Sequence, residues 1–548
     1  NIHLSPEIYE LQDDLARKIA FCEAQLKLHR LPFIERTAGT PIFFVGVGLP
    51  RLGYNLVQKL IRAGQYINLA IFPAVSATCT GVRFTITCNH TLAQIETLIS
   101  IMAELFQETL IEEERSIEDI YKAFRKSPIY KPKDRIVQIP TIPTHSPQFQ
   151  LQHERQISKI PKTFWNRIMH DQGSYDWDGL QLLEGVFQNN VEEHNNWDFH
   201  YFVLRNAEGR VIMATYFTAC LNKDDALVPS LISQQIEEKR RSNPYYLCSK
   251  TFMMGCPISI GNHMYIDKTV ENWEKGLTYF LERLTAIYDD NDSNVLNIRD
   301  ISKISNQIHK VIQDQGFMKV DLFDNYVVPL EQITNSQEFL DSLKSSQRRY
   351  VKQRAMNQND AFEVRLLDAD DDHLLDDLYQ LYKNTKDKHF ELNIFDCSKE
   401  LFRTALYSPH WEVMALSLSD DPTRQPIALA INYRTANNYH FVFAGLDYRY
   451  VESHNSYNQL LWQLVLRAIQ CGSTKLSLGY TTGQNKRKFG AIEDPAYSFV
   501  QVKDDFNFKI ISSMVNYDNG KLHVAHLRKT HAETIETHFG IKKLAKVI

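Results

Sequence analysis

Apolar positions in residues 1–112 recur at helical spacing in some stretches and at strand spacing in others. Ser5 followed by Pro6 reads as an N-cap and first helical position, opening an amphipathic helix that the pattern carries to about His29. Short apolar runs predict strands at 42–47, 66–71 and 82–87, with a helix over 54–63 stopped by Gly64. Thr91 and Gln94 have the spacing of a capping box, so another helix starts there and ends near Phe106. The alternation predicts a small α/β lobe.

Six of the 19 prolines, Pro128, Pro132, Pro140, Pro143, Pro147 and Pro161, then fall close together. Proline at that density blocks helices and sheet ladders, which predicts a linker at 113–160. Beyond it one order of elements is written twice. The first copy, in 161–330, reads as strands at 200–205 and 210–217 turning at Ala207-Glu-Gly209, a helix over 273–288, a strand at 295–298, a short helix, and Gly316-Phe317 before another strand. The second, in 331–520, reads as strands at 413–418, 426–433 and 439–445, a helix over 456–471 stopped by Gly472, a strand at 475–478, then Phe489-Gly490. Residues 521–548 remain as a C-terminal tail.

Composition narrows the class. At about 150 residues per domain, 548 residues suggest three to four units, and 43% hydrophobic residues can build their cores. Sixty-one Lys and Arg against 66 Asp and Glu give a net charge of −5, so any basic site is local rather than a global field. The longest apolar runs are strand length, which predicts no membrane span. Eight cysteines without C-x-x-C or dense disulfide spacing, and no signal peptide, predict reduced thiols and a cytoplasmic location. Residue 1 is Asn, which suggests a piece of a longer polypeptide.

Several local patterns lead nowhere. Gly46-Val-Gly48-Leu-Pro-Arg-Leu-Gly53 puts Arg51 where a dinucleotide fingerprint needs a small residue, so it reads as a strand-to-helix turn. Glu192-Glu-His194 with His200 matches no zinc spacing. Asp368-Ala-Asp-Asp-Asp-His373 lacks the glycine and glutamate of a calcium loop and reads as the acidic first turn of a helix. No metal is expected.

Gly64-Gln-Tyr-Ile-Asn-Leu-Ala-Ile-Phe-Pro-Ala-Val75, Thr80-Gly-Val-Arg-Phe-Thr-Ile-Thr87 and His90-Thr-Leu resemble the C-terminal lobe of the α-oxoamine synthases. These are pyridoxal-phosphate enzymes that condense an amino acid with an acyl-CoA. Arg83 matches the family's arginine that pairs with the amino acid's carboxylate, a contact suited to a planar guanidinium. The cofactor-bearing lysine and the aspartate facing the pyridine nitrogen lie, in that family, in a large domain upstream of the matched region. The resemblance therefore implies no pyridoxal phosphate bound in this chain, only in a longer polypeptide carrying that domain.

The duplicated part resembles tandem acyltransferases of the GNAT superfamily, including the Fem-like peptidyltransferases, in Ser345-Ser-Gln-Arg-Arg-Tyr-Val-Lys-Gln-Arg354, Ala444-Gly-Leu-Asp447, Cys471-Gly472 and Asn485-Lys-Arg-Lys-Phe-Gly490. The pyrophosphate loop R/Q-x-x-G-x-G/A is absent. Lys344, Arg348 and Lys352, spaced i, i+4 and i+8, predict a cationic stripe beside Arg349 that suits a polyphosphate or else a solvated face. Lys486, in the family's lysine position, and Lys488 come after a strand end. Acyl transfer to an amine needs alignment, an oxyanion donor and a proton acceptor. Asp447, His440 and His454 are candidate bases and Tyr480 a candidate acid.

The expected fold class is α/β (α+β): a small aminotransferase-type lobe, then two GNAT-like domains. The expected activity is acyl transfer from acyl-CoA to a small amine, as the C-terminal part of a bacterial-type bifunctional synthase and N-acyltransferase. Aminoacyl transfer from charged tRNA, or a non-catalytic scaffolding module, are the alternatives.

Overall fold

A computed structural model describes residues 6–503 apart from 35–38, 72–73, 77–78, 114, 125–147, 171, 227–229, 389–391 and 481–482. The Ser5 cap, most of the proline-rich run and the 521–548 tail lie outside the described residues. The chain divides into two compact units. One comprises residues 1–146 with Leu281–Ile287 and Lys310–Phe317, and the other the remainder.

In the first unit, β1 (Ile42–Gly48), β2 (Asn68–Ala70) and β3 (Thr80–Thr85) form an antiparallel sheet in the order β1-β3-β2. Val82 and Phe84 turn inward to Phe43, Val45 and the helices Pro50–Arg62 and Leu92–Glu112, while Arg83 and Thr85 are exposed. The capping box forms as read: Thr91 Oγ1 accepts from the Gln94 amide at 3.2 Å, and Gln94 Oε1 accepts from the Thr91 amide at 2.9 Å. Its helix continues past Phe106 to Glu112 because Met102, Phe106, Thr109 and Leu110 extend the buried face. The preceding helix begins at Pro50 rather than Tyr54, proline being favourable at a first helical position. The predicted linker contains a helix, Ile117–Ala123, capped by Ser116.

The second unit is built from fifteen strands among the described residues. Its first half supplies β4 (Phe149–Glu154), β5 (Asp198–Asn206), β6 (Val211–Lys223), β7 (Cys248–Met254), β8 (Met264–Ile266), β9 (Val295–Ser302) and β10 (Met318–Asp321). Then come β11 (Asn325–Pro329), β12 (Phe362–Leu367), β13 (Trp411–Leu418), β14 (Ala428–Arg434), β15 (Asn438–Leu446), β16 (Lys475–Ser477), β17 (Ile492–Asp494) and β18 (Ala496–Val502). The hairpin β5–β6 turns where expected, with Gly209 at φ +79°, a conformation that favours glycine. β4 falls inside the predicted linker, so the first sheet starts earlier than residue 161.

One sheet runs β10-β18-β9-β7-β6-β5-β4 and the other β12-β13-β14-β15-β16-β11-β17. Each has four antiparallel strands ending in a parallel pair, β7 with β9 or β15 with β16. The two sheets thus share this part of their strand order. Beyond the parallel pair, however, the two halves exchange strands. β18, from the second half of the sequence, lies between β9 and β10, and β11, which falls just before the 330/331 boundary, lies between β16 and β17. The boundary expected at 330/331 divides the sequence but not the sheets.

One apolar cluster joins the sheets, with Tyr201, Val203, Ala214 and Tyr216 from the first and Val413, Leu429, Ile431 and Tyr433 from the second. Another packs the second sheet against the helix Ser456–Gln470 through Leu460, Leu461, Leu464 and Val465. Burying each such side chain contributes about 1.5–3 kcal/mol. The eight cysteines are all free thiols. Among the described residues no helix is long and apolar enough to cross a membrane.

Candidate acyl-donor cleft

β15 and β16 pair in parallel only over Asn438–His440 and Lys475–Ser477. β16 then ends, and Leu478 and Gly479 bond instead to Tyr326. β15 continues to Leu446, still paired with β14 on its other side. Among the described residues, one edge of β15 beyond His440 therefore has no strand partner. The register with β14 also slips at Val442, between Phe441 and Phe443, and such a bulge re-aims the backbone locally. After this edge comes the helix Ser456–Gln470, whose N-terminus has no side-chain cap and is entered through Asn455 at φ +52°.

The cations read from sequence separate into two groups. Lys344 stands at the cap of the helix Ser345–Arg354, outside its first turn, and is exposed, so the three-residue stripe shortens to Arg348 and Lys352. Arg348, Arg349 and Lys352 line an open depression with Ser345 and Gln353. Arg348 is partly committed: its guanidinium donates to the carbonyls of Leu340 at 2.7 Å, Asp341 at 3.2 Å and Leu343 at 3.3 Å, capping the preceding helix. Lys486 is buried, and its ammonium donates to the carbonyls of Gly479 and Tyr480, each at 3.2 Å. It therefore does not share that depression. Lys488 lies over the Tyr350 ring at 4.5 Å, and Gln347 donates to the Arg487 carbonyl at 2.6 Å, which joins the helix Ser345–Arg354 to a second basic helix, Gly483–Lys488.

The candidate proton carriers are placed less favourably. Asp447 is held by the Arg449 guanidinium through both oxygens, and these hydrogen bonds lower its pKa, which weakens it as a base. His440, at the point where the strands part, is buried, and neither ring nitrogen has a hydrogen-bond partner among the described residues. Burial pushes its pKa down to about 3, so it is neutral. His454 meets Ser453 Oγ at 2.9 Å. Tyr480 donates its hydroxyl to Asp300 at 2.6 Å, and burial raises its pKa, so it is a poor proton donor to a leaving thiolate. In the other unit, Arg83 is exposed on β3 between Phe44 and Asn68 in register.

Sequence reading missed Arg299, Asp300 and the Val442 bulge, which carry no local signal. Asn455-Ser456 ahead of an apolar helical pattern was a legible N-terminus.

Residues 345–487 match the family model described as an acetyltransferase (GNAT) domain. That stretch contains the parting strands and most of both basic helices. Among solved structures, the chain is similar to FemX at 11% identity and a TM-score of 0.44, covering 64% of this chain and 97% of that one. It is similar to a tandem GNAT protein from the clavulanic acid biosynthesis pathway at 8% identity and a TM-score of 0.38, covering 65% and 99%. Serine palmitoyltransferase from S. paucimobilis is 23% identical over 19% of this chain, with a TM-score of 0.18, and the chain spans 26% of its length. No curated protein sequence matches the chain.

Proposed function

We propose that the second sheet and its helices form an N-acyltransferase that takes an acyl group from a CoA thioester and passes it to a small amine. The observation that carries this reading is the parting of β15 from β16 within the stretch matched by the acetyltransferase family. An unpaired strand edge can accept the amide groups of a pantetheine arm as an added strand. The diphosphate is assigned to the N-terminus of Ser456–Gln470, where, among the described residues, the amide N–H groups have no side-chain cap and the buried Ser456 Oγ has no partner. Arg354, 3.4 Å from Asn455 Oδ1, with Arg349 and Lys352 on the same helix, adds positive charge.

In the transfer the amine nitrogen bonds to the acyl carbon, the carbon–sulfur bond breaks, and the thiolate takes up a proton. Backbone amides on the β15 edge are the oxyanion donors. Asp447 and Tyr480 being committed to Arg449 and Asp300, the amine's proton goes to water.

Thermal-shift and calorimetric titration with CoA, acetyl-CoA, longer acyl-CoAs and tRNA tests this. A ligand at 100 times its Kd stabilises by about 2.7 kcal/mol, so acyl-CoA should raise the melting temperature clearly. A response to tRNA alone, falling steeply with salt, would instead favour aminoacyl transfer. No response to any of them would favour a scaffolding module.

For the first unit the proposal is an α-oxoamine synthase C-terminal lobe, with Arg83 facing a substrate carboxylate. Pyridoxal phosphate is expected only with the large domain, which in that family carries the Schiff-base lysine. Of its lysines, Lys18 is bonded to Asp14 and the Cys88 carbonyl, and Lys59 to Glu108 and Glu112. Burial lowers the Lys59 pKa, but the two carboxylates outweigh it and raise the value overall. In a longer polypeptide with the large domain, fusion would raise the effective concentration of an aminoketone at the acyltransferase.

A further inference from the structure

The parallel pair of the first sheet also parts, but its opening holds a side chain. β7 and β9 pair over Thr251–Met253 and Val295–Asn297, after which β9 runs on and the chain leaves β7 through Gly255 and Cys256. Arg299 bridges the gap. Its Nη1 donates to the Cys256 carbonyl at 3.2 Å and its Nη2 to the Ser259 carbonyl at 2.6 Å, with Met253 Sδ 3.9 Å from Nη1. Its Nε donates to Asp300 at 2.6 Å. Burial opposes the charge on Arg299, but Asp300 more than compensates and raises its pKa, so the guanidinium stays protonated.

The same pair reaches the second sheet. Tyr480, next to Gly479 on the arm that parts from β15, donates its hydroxyl to Asp300 Oδ1 at 2.6 Å and accepts from Arg299 Nη2 at 3.3 Å. Lys486 holds the Tyr480 carbonyl. Asp300 keeps φ at +61°, an uncommon conformation for a residue with a Cβ, while one oxygen serves Arg299 and the other Tyr480. Counting from the last paired residues, Asn297 and Ser477, Arg299 and Gly479 stand at matching places. The first opening has a guanidinium where the second has no side chain.

We propose that the opening in the first sheet has become a socket for Tyr480, so that Arg299 and Asp300 are positioning residues for the acyl-donor cleft of the second sheet and the chain takes one acyl donor, not two. A thioester arm entering the first opening would displace a buried guanidinium with its hydrogen bonds satisfied and leave Asp300 without its counter-charge, which is strongly unfavourable. This inference rests on the acyl-donor reading of the second sheet.

Calorimetric titration of the full chain with acetyl-CoA should give one site. Tyr480→Phe and Asp300→Asn should each raise the acetyl-CoA Kd about tenfold, as for loss of one buried hydrogen bond to a charged group. Both break the same chain of contacts, so the double variant should bind no worse than the weaker single one. Asp300→Glu, which keeps the carboxylate, should recover part of the affinity. Two sites per chain, or variants that bind as the wild type does while melting at lower temperature, would overturn the proposal and leave the acyl-donor reading intact. No binding by a folded wild-type chain would overturn both.

Discussion

Glu412 accepts from Arg467 through both carboxylate oxygens, from Nε at 2.8 Å and from Nη2 at 2.7 Å. A third bond comes from the Tyr439 hydroxyl at 2.8 Å, so three elements, β13, β15 and the helix Ser456–Gln470, meet at one carboxylate. Burial works against its charge, yet the bonds from Arg467 and Tyr439 outweigh burial and hold the pKa below its ordinary value. Such a group contributes stability above its unfolded pKa and loses it as pH falls through the folded value. Glu412→Gln should therefore cost about 2 kcal/mol at neutral pH, and its denaturant midpoint should approach that of the wild type in acid. Identical midpoints at pH 7 would show the pair to be dispensable.

Two buried imidazoles should make the protein acid-sensitive well above the carboxylate range. Burial, with Arg299 beside His263 and with Lys475 and His263 beside His440, pushes each pKa down from 6.5 to about 3. The unfolded chain binds protons that the folded one refuses, so stability is full above about pH 6.5 and falls below it. Each histidine should cost about 2 kcal/mol between pH 6.5 and pH 5. Urea midpoints measured across that range should fall less steeply in His440→Gln than in the wild type.

Because β18 completes the sheet of the other half, damage in β18 should appear far away in sequence. Phe499 is fully buried, opposite Ile298 and Lys319 in register. Phe499→Ala should cost about 3–5 kcal/mol. Hydrogen exchange should quicken in β9 and β10. Loosening confined to β17 and β18 would contradict the strand exchange.

The cations of the helix Ser345–Arg354 should divide by role. Arg348→Ala removes three carbonyl contacts and should lower the melting temperature by about 2–4 °C, at about 1 kcal/mol lost. Arg349 and Lys352 are exposed, so their alanine variants should melt as the wild type does and weaken acetyl-CoA binding in a salt-dependent way. If Arg349→Ala and Lys352→Ala bind normally at low salt, this face is merely solvated.

Much of the local structure was legible because its causes are local. Thr91 and Gln94 satisfy each other's amides within one helical turn, and the glycine at 209 closes a hairpin between adjacent strands. The repeated order of elements was visible too, since each strand and helix declares itself by its own periodicity. Arg348 and Arg349 were recognised as a basic face, but which of them is free was not. That depends on where the carbonyls of Leu340, Asp341 and Leu343 point.

Sequence alone determined the α/β elements and the repeated order in which they follow one another. Tertiary structure alone decided which sheet receives β11 and β18, that Lys486 turns inward, and that Arg299 meets Tyr480 across 181 positions. A strand's apolar alternation says that one face is buried but not which strand lies beside it. A charged side chain likewise carries no record of its partner when the partner is brought near only by the packing of two sheets.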